Sequence, residues 1–123
     1  MASYNKSVVI TNFKAGADLS AAGSLYKAVK FDGSGNVVFC GAGEIAIGFL
    51  ANAPKSDEVV EIMSIKGFAL GISAATIAAG ALVKSDANGK LVAAVATDNA
   101  IALTMKSSVA NDIVEIMPVL TKA

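Results

Sequence analysis

Residues 29–39 read VKFDGSGNVVF, and residues 83–93 read VKSDANGKLVA. Each places an aspartate, small polar residues and a glycine between two runs rich in β-forming residues, which is the chemistry of a β-hairpin. Gly35 and Gly89 can take the positive φ that such a turn needs, and Asp32 and Asp86 can bond backbone amides within it. A calcium loop would need alternating oxygen ligands and a glutamate at its twelfth position. Both stretches run into hydrophobic residues instead, so these aspartates and glycines read as structural turns and no metal site is assigned.

Working outward, the two stretches belong to one longer repeat. Sliding the chain on itself from Val29 to Val83, a step of 54, aligns residues 29–65 with residues 83–119 without a gap. The identical pairs are Val29/Val83, Lys30/Lys84, Asp32/Asp86, Gly35/Gly89, Val38/Val92, Ala42/Ala96, Ala46/Ala100, Ile47/Ile101 and the four residues of VEIM, at 60–63 and 114–117. Upstream, AAGSLYKAVK and AAGALVK continue the match once three residues are inserted in the first copy. One supersecondary unit is therefore written twice, as half-repeats of about 14–66 and 68–120. Two copies are too few for a solenoid. The expectation is two halves closing on one another around a pseudo-twofold as an all-β fold, a small β-barrel or β-tulip, within a single domain over residues 7–123.

Within each unit, EIAIGFLANAP and DNAIALTMKSS read as strands ending at polar turns. The closing runs alternate: Val59, Glu61 and Met63 face one way against Val60 and Ile62, and Ile113, Glu115 and Met117 face one way against Val114 and Ile116. The central glutamates are then either solvated or paired with a lysine. The Ala-rich ADLSAAGS and SAATIAAG leave room for one or two short helical turns, although close approach of strands explains them more simply. The uncharged run from Gly67 to Val83 is short and interrupted by Ser73 and Thr76, so it reads as strand, turn and strand rather than a membrane span.

Composition narrows the function. Of 123 residues, 54% are hydrophobic and 16% charged, which fits a globular chain. There is no His, Trp, Arg or Gln, and ten Lys balance ten acids, an unsuitable basis for direct nucleic-acid binding. Cys40 is the sole cysteine and, without histidine, lacks the usual base and metal co-ligand, so it reads as a small core residue. The glycines of residues 33–35 and 41–43 fail the spacing of nucleotide-binding loops. No nucleophile and base, carboxylate pair or ligand cluster emerges, so neither enzymatic activity nor a cofactor is expected. The opening MASYNKSVVITNF lacks the features of a secretory signal, which predicts use without export.

The opening YNKSVVITNFKAGADLS, then DGSGNVVFCGAGEIAIGFLANAP, then IAAGALVKSDANGKLV and the closing NDIVEI resemble the small decoration or cement proteins of tailed-bacteriophage capsids. The resemblance covers residues 4–120. Where such proteins tend to keep glycine, the second copy carries Ala102, opposite Gly48 in the first. The resemblance implies a compact β-barrel or tulip, assembled as a homotrimer on the outer surface of a virion capsid. There it would bridge neighbouring subunits of the major capsid protein, away from membranes and nucleic acid. Residues 1–6 have no counterpart in the repeat and read as an N-terminal arm suited to strand addition on a neighbour. Tyr4, Asn5 and Lys6, with Phe13 beyond the arm, are the candidate capsid or subunit contacts, the aromatic groups serving as anchors. The alternative function is a ligand- or glycan-binding barrel displayed on the virion, poorly supplied with aromatic rings for sugar stacking.

Overall fold

The computed structural model describes residues 9–64 and 67–123. Ten strands are present and no helix among the described residues. They are β1 (Val9–Lys14), β2 (Ala28–Phe31), β3 (Val37–Phe39), β4 (Gly48–Leu50), β5 (Val59–Ser64), β6 (Ala69–Ile72), β7 (Leu82–Ser85), β8 (Leu91–Ala93), β9 (Asn99–Thr104) and β10 (Ile113–Lys122). The all-β, two-half architecture is thus the one the repeat requires. The Ala-rich segments form turns and bends, not helix, because each must cross between strands in a few residues.

Among the described residues every strand ladder is antiparallel, in two sheets of identical order, β1-β5-β4-β2-β3 and β6-β10-β9-β7-β8. The register also repeats at the 54-residue step. Val29 faces Phe39 as Val83 faces Ala93, Ala28 faces Phe49 as Leu82 faces Leu103, and Leu50 faces Ile62 as Thr104 faces Ile116. In each half a single parallel bridge joins the two outermost strands, Ala15 with Val37 and Ser73 with Leu91. Each sheet thereby curls back on itself and hides part of its edges, the usual β solution to unpaired backbone. Since Ala15 and Ser73 lie 58 apart, the first copy carries one more inserted residue upstream than the three that align AAG with AAG.

The alternation in VEIM sorts side chains as the strand period demands. Val60 and Ile62 are buried in one sheet, Val114 and Ile116 in the other. In the first half Ala15, Leu19, Val29, Val37, Leu50, Val60 and Ile62 form a core of their own. The second half fills the equivalent space with Ser73, Ile77, Val83, Leu91, Thr104, Val114 and Ile116. Its buried polar groups are satisfied: Ser73 Oγ lies 2.6 Å from Ser108 Oγ, and Thr104 Oγ1 donates to Ala78 O (2.7 Å) and accepts from Ala81 N (3.0 Å).

The halves do not meet reciprocally, contrary to the expected pseudo-twofold. Ala28 N donates to Gly89 O (2.8 Å) and Gly43 N to Ser85 O (2.9 Å), and Asn99 Nδ2 donates to Gly43 O (3.2 Å). A twofold would pair Leu82 with Gly35 and Thr97 with Phe31. Thr97 N instead donates to Ala123 O (3.1 Å), and a Cβ on Gly35 would meet nothing within 4 Å. Ala28, Cys40, Ala46 and Phe49, from the outward side of the first sheet, join the core of the second half in one cluster. Stacking front to back rather than face to face follows, because the first sheet needs its own inner side for its own core.

Candidate functional site

The two hairpin turns are built alike. Asp32 Oδ1 accepts from Ser34 N (2.8 Å) and Asn36 N (3.0 Å), while Asp86 Oδ1 accepts from Asn88 N (2.8 Å) and Lys90 N (3.0 Å). Gly35 and Gly89 both have φ of 82°, a value an L side chain tolerates poorly. These carboxylates spend their acceptors on backbone amides, the work of an Asx-type turn. Among the described residues no group of three or more His, Cys, Asp or Glu is placed to hold a metal ion.

A second duplicated feature lies on the hairpin flank. Lys30 Nζ sits 2.7 Å from Glu44 Oε2, and Lys84 Nζ 3.0 Å from Asp98 Oδ2. Both acids also cap a turn, Glu44 through Gly41 N (2.5 Å) and Asp98 through Val95 N (2.9 Å). The Lys30 bond, then the Gly41 amide, hold Glu44 below the usual carboxylate range, and the Val95 amide, then Lys84, do the same for Asp98. The central glutamate of β10 is paired on its own surface, Glu115 Oε1 with Lys106 Nζ at 2.9 Å, and Glu61 is exposed.

Cys40 is 1% exposed, with Sγ directed at Ile45 O (3.8 Å). Burial first, and the Glu44 charge second, push its thiol up to about 12, so it carries no thiolate near neutrality.

Of the proposed contact residues, Tyr4, Asn5 and Lys6 lie outside the described residues. Phe13 is on β1, opposite Val60. Between Ile10 and Phe13 the strand carries one extra residue against β5, and this bulge turns both side chains toward the first core. The Phe13 ring meets Phe31 edge to face, centroids 4.7 Å apart and planes at 70°. Phe31 is 42% exposed, so the pair forms an aromatic patch reaching from core to solvent. Sequence reasoning singled out Phe13 and passed over Phe31. The signal was there: Phe31 is the aromatic member of a pair whose other member is Ser85.

Between the halves lies an open cleft of about 480 Å³, bordered by the Ser20–Tyr26 loop on one side and by Ile72, Lys90 and Ile113 on the other. Lys90 Nζ donates to Asn111 Oδ1 (2.8 Å). The lining is mostly apolar, with no carboxylate among its residues to act as an acid or base. The surface of this neutral chain exposes apolar side chains that include Val9, Phe31, Ile45, Val59, Ile113, Met117 and Leu120.

No family model matches the chain, and no curated protein matches it. Among solved structures it is similar to the N base of the head fiber protein gp8.5 in bacteriophage phi29. The TM-score is 0.76 and the identity 12%, over 94% of this chain and 97% of that one. At that identity the likeness is one of fold.

Proposed function

We propose that this chain is a structural protein of a phage virion. It binds the outside of the capsid as a trimer, bridges neighbouring major-capsid subunits, and performs no catalysis. The observation that carries this reading is the likeness, along nearly the whole chain, to the base of a phage head fiber. Fold alone does not fix function, so the surface must agree with it. It does so in kind: apolar side chains are exposed on both halves, and Asp32, Asp86, Glu44 and Asp98 are engaged in turns and ion pairs rather than gathered for chemistry. A trimer contacting several capsid subunits multiplies modest contacts through avidity. In this reading residues 1–6, with Tyr4, Asn5 and Lys6, reach the neighbouring subunit by strand addition, and Phe13 backs the exposed Phe31 as an anchor.

The test is co-sedimentation of the purified chain with empty, expanded capsids, followed by melting of the decorated shells. Saturable binding and a raised shell melting temperature are expected. Absence of binding at every concentration tried, with saturable binding to a glycan array instead, would replace this reading by that of a ligand-binding module using the inter-half cleft.

A further inference from the structure

The contact between the halves is head to tail, and a head-to-tail contact leaves one of each surface open. On the outward side of the first sheet, Ala28, Phe49 and Met63 stand in a row across β2, β4 and β5. Ala28 and Phe49 are fully buried because the second half covers them. The same row in the second sheet is Leu82, Leu103 and Met117. It is less covered than the first: Leu82 and Leu103 are half-buried and Met117 is 38% exposed. Every position of the open row is nevertheless apolar, and Ala–Phe is exchanged for Leu–Leu with little change in bulk, as expected of a surface that is also covered.

The gripping surface has an open counterpart too. The second half holds the first through Ser85 and Gly89. Ser85 is buried in that contact, and a Cβ on Gly89 would approach Ala28 O to 3.0 Å. At the equivalent places in the first half stand Phe31 and Gly35, both exposed, with Phe13 behind Phe31.

We propose that the row Leu82–Leu103–Met117 is covered by the first half of a second copy of this chain, docked through the Phe31–Gly35 hairpin and its Phe13 backing. The contact between copies repeats the contact within the chain except at Thr97, the counterpart of Gly43, whose N already donates to Ala123 O. Such an interface is heterologous, so copies close into a ring if the rotation per half allows it. It gives the trimer of the reading above its contact surfaces and rests on the oligomeric part of that reading alone.

The experiment is light scattering on the full chain and on two variants, Leu103→Lys and Phe31→Lys, each checked for β-sheet content and cooperative melting. The wild type is expected to be an oligomer and each variant a monomer. In a head-to-tail contact each variant keeps one intact surface, and the two intact surfaces are complementary. An equimolar mixture should therefore give a species of twice the mass of one chain and nothing larger. A monomeric wild type, a folded variant that still self-associates, or a mixture that stays monomeric each overturns the proposal. If Leu103→Lys does not fold, Met117→Lys, whose side chain already reaches solvent, takes its place. Co-sedimentation of the monomeric variant with capsids separates the two readings, since residual capsid binding survives a failed oligomer proposal and is absent if the virion reading is at fault.

Discussion

Gly35 and Gly89 share a sequence context and a φ of 82°, yet only Gly89 has the other half above it. Substituting alanine at either forces an L side chain into the left-handed region, at about 1 kcal/mol. At Gly35 the added Cβ meets nothing within 4 Å, so that is the whole effect. At Gly89 it would lie 3.0 Å from Ala28 O and 3.3 Å from Lys27 Cβ, pushing apart the strands joined by the 2.8 Å bond from Ala28 N to Gly89 O. Loss of that bond in a buried junction adds roughly 1–2 kcal/mol. Gly89→Ala should therefore destabilise by about 2–3 kcal/mol and Gly35→Ala by about 1. For a chain of this length, each kcal/mol corresponds to roughly 3–5 °C of melting temperature. The assay is urea unfolding of both variants in the Leu103→Lys background, which removes the proposed contact between copies. Equal destabilisation by the two substitutions would refute the front-to-back arrangement of the halves.

Other perturbations test separate parts of the structure. Gly48→Ala should destabilise by about 2–3 kcal/mol, because the new Cβ would overlap the Met63 carbonyl and the Ile62 side chain; urea unfolding reads this directly. Ser73→Ala leaves Ser108 Oγ without its 2.6 Å partner and should cost about 1–3 kcal/mol. The double variant Ser73→Ala, Ser108→Ala should recover part of that loss, and a double-mutant cycle measures the coupling. Cys40 should resist alkylation in the native state at pH 8 and react once unfolded. Its folded pKa of about 12 lies above the ordinary 9.0, so its contribution to stability is full below about pH 9 and is lost as pH rises toward 12. Glu44 and Asp98 act with the opposite sign: their folded pKa values are lowered, so their contribution is present above the ordinary carboxylate range and fades as pH falls through it.

Much of the fold was legible because its signals are local. Asp32 and Gly35, repeated as Asp86 and Gly89, specify a turn within a few residues, and the alternation in VEIM places its own valines and isoleucines inside. The relation between the halves was not legible, since a repeat says that two units are alike and nothing of which surfaces meet. The inference of a pseudo-twofold failed at that step. The proposed contact surface was legible only in part. Phe13 stood out as an aromatic near the start of the chain, but its pairing with Phe31 spans 18 residues and depends on the bulge before Phe13, which no pattern of hydrophobicity marks.

The front-to-back arrangement also explains where the two copies differ. Positions whose surroundings are the same in both halves keep their chemistry: the turn aspartates and the pairs Lys30–Glu44 and Lys84–Asp98. Positions whose surroundings differ do not. Phe31 faces solvent, whereas Ser85 lies buried under the first half, where its hydroxyl donates to Asp86 O at 2.9 Å. The pair Phe13 and Gly71 differs for a reason internal to each half: Phe13 packs against the first core, whereas a Cβ on Gly71 would meet Leu91 Cδ1 at 2.6 Å in its own half. A reciprocal twofold would give Phe31 and Ser85 one environment and no reason to diverge. Within a tandem repeat of this kind, a mismatched pair of this sort marks a surface on which the copies see different neighbours, as Phe31 and Ser85 do.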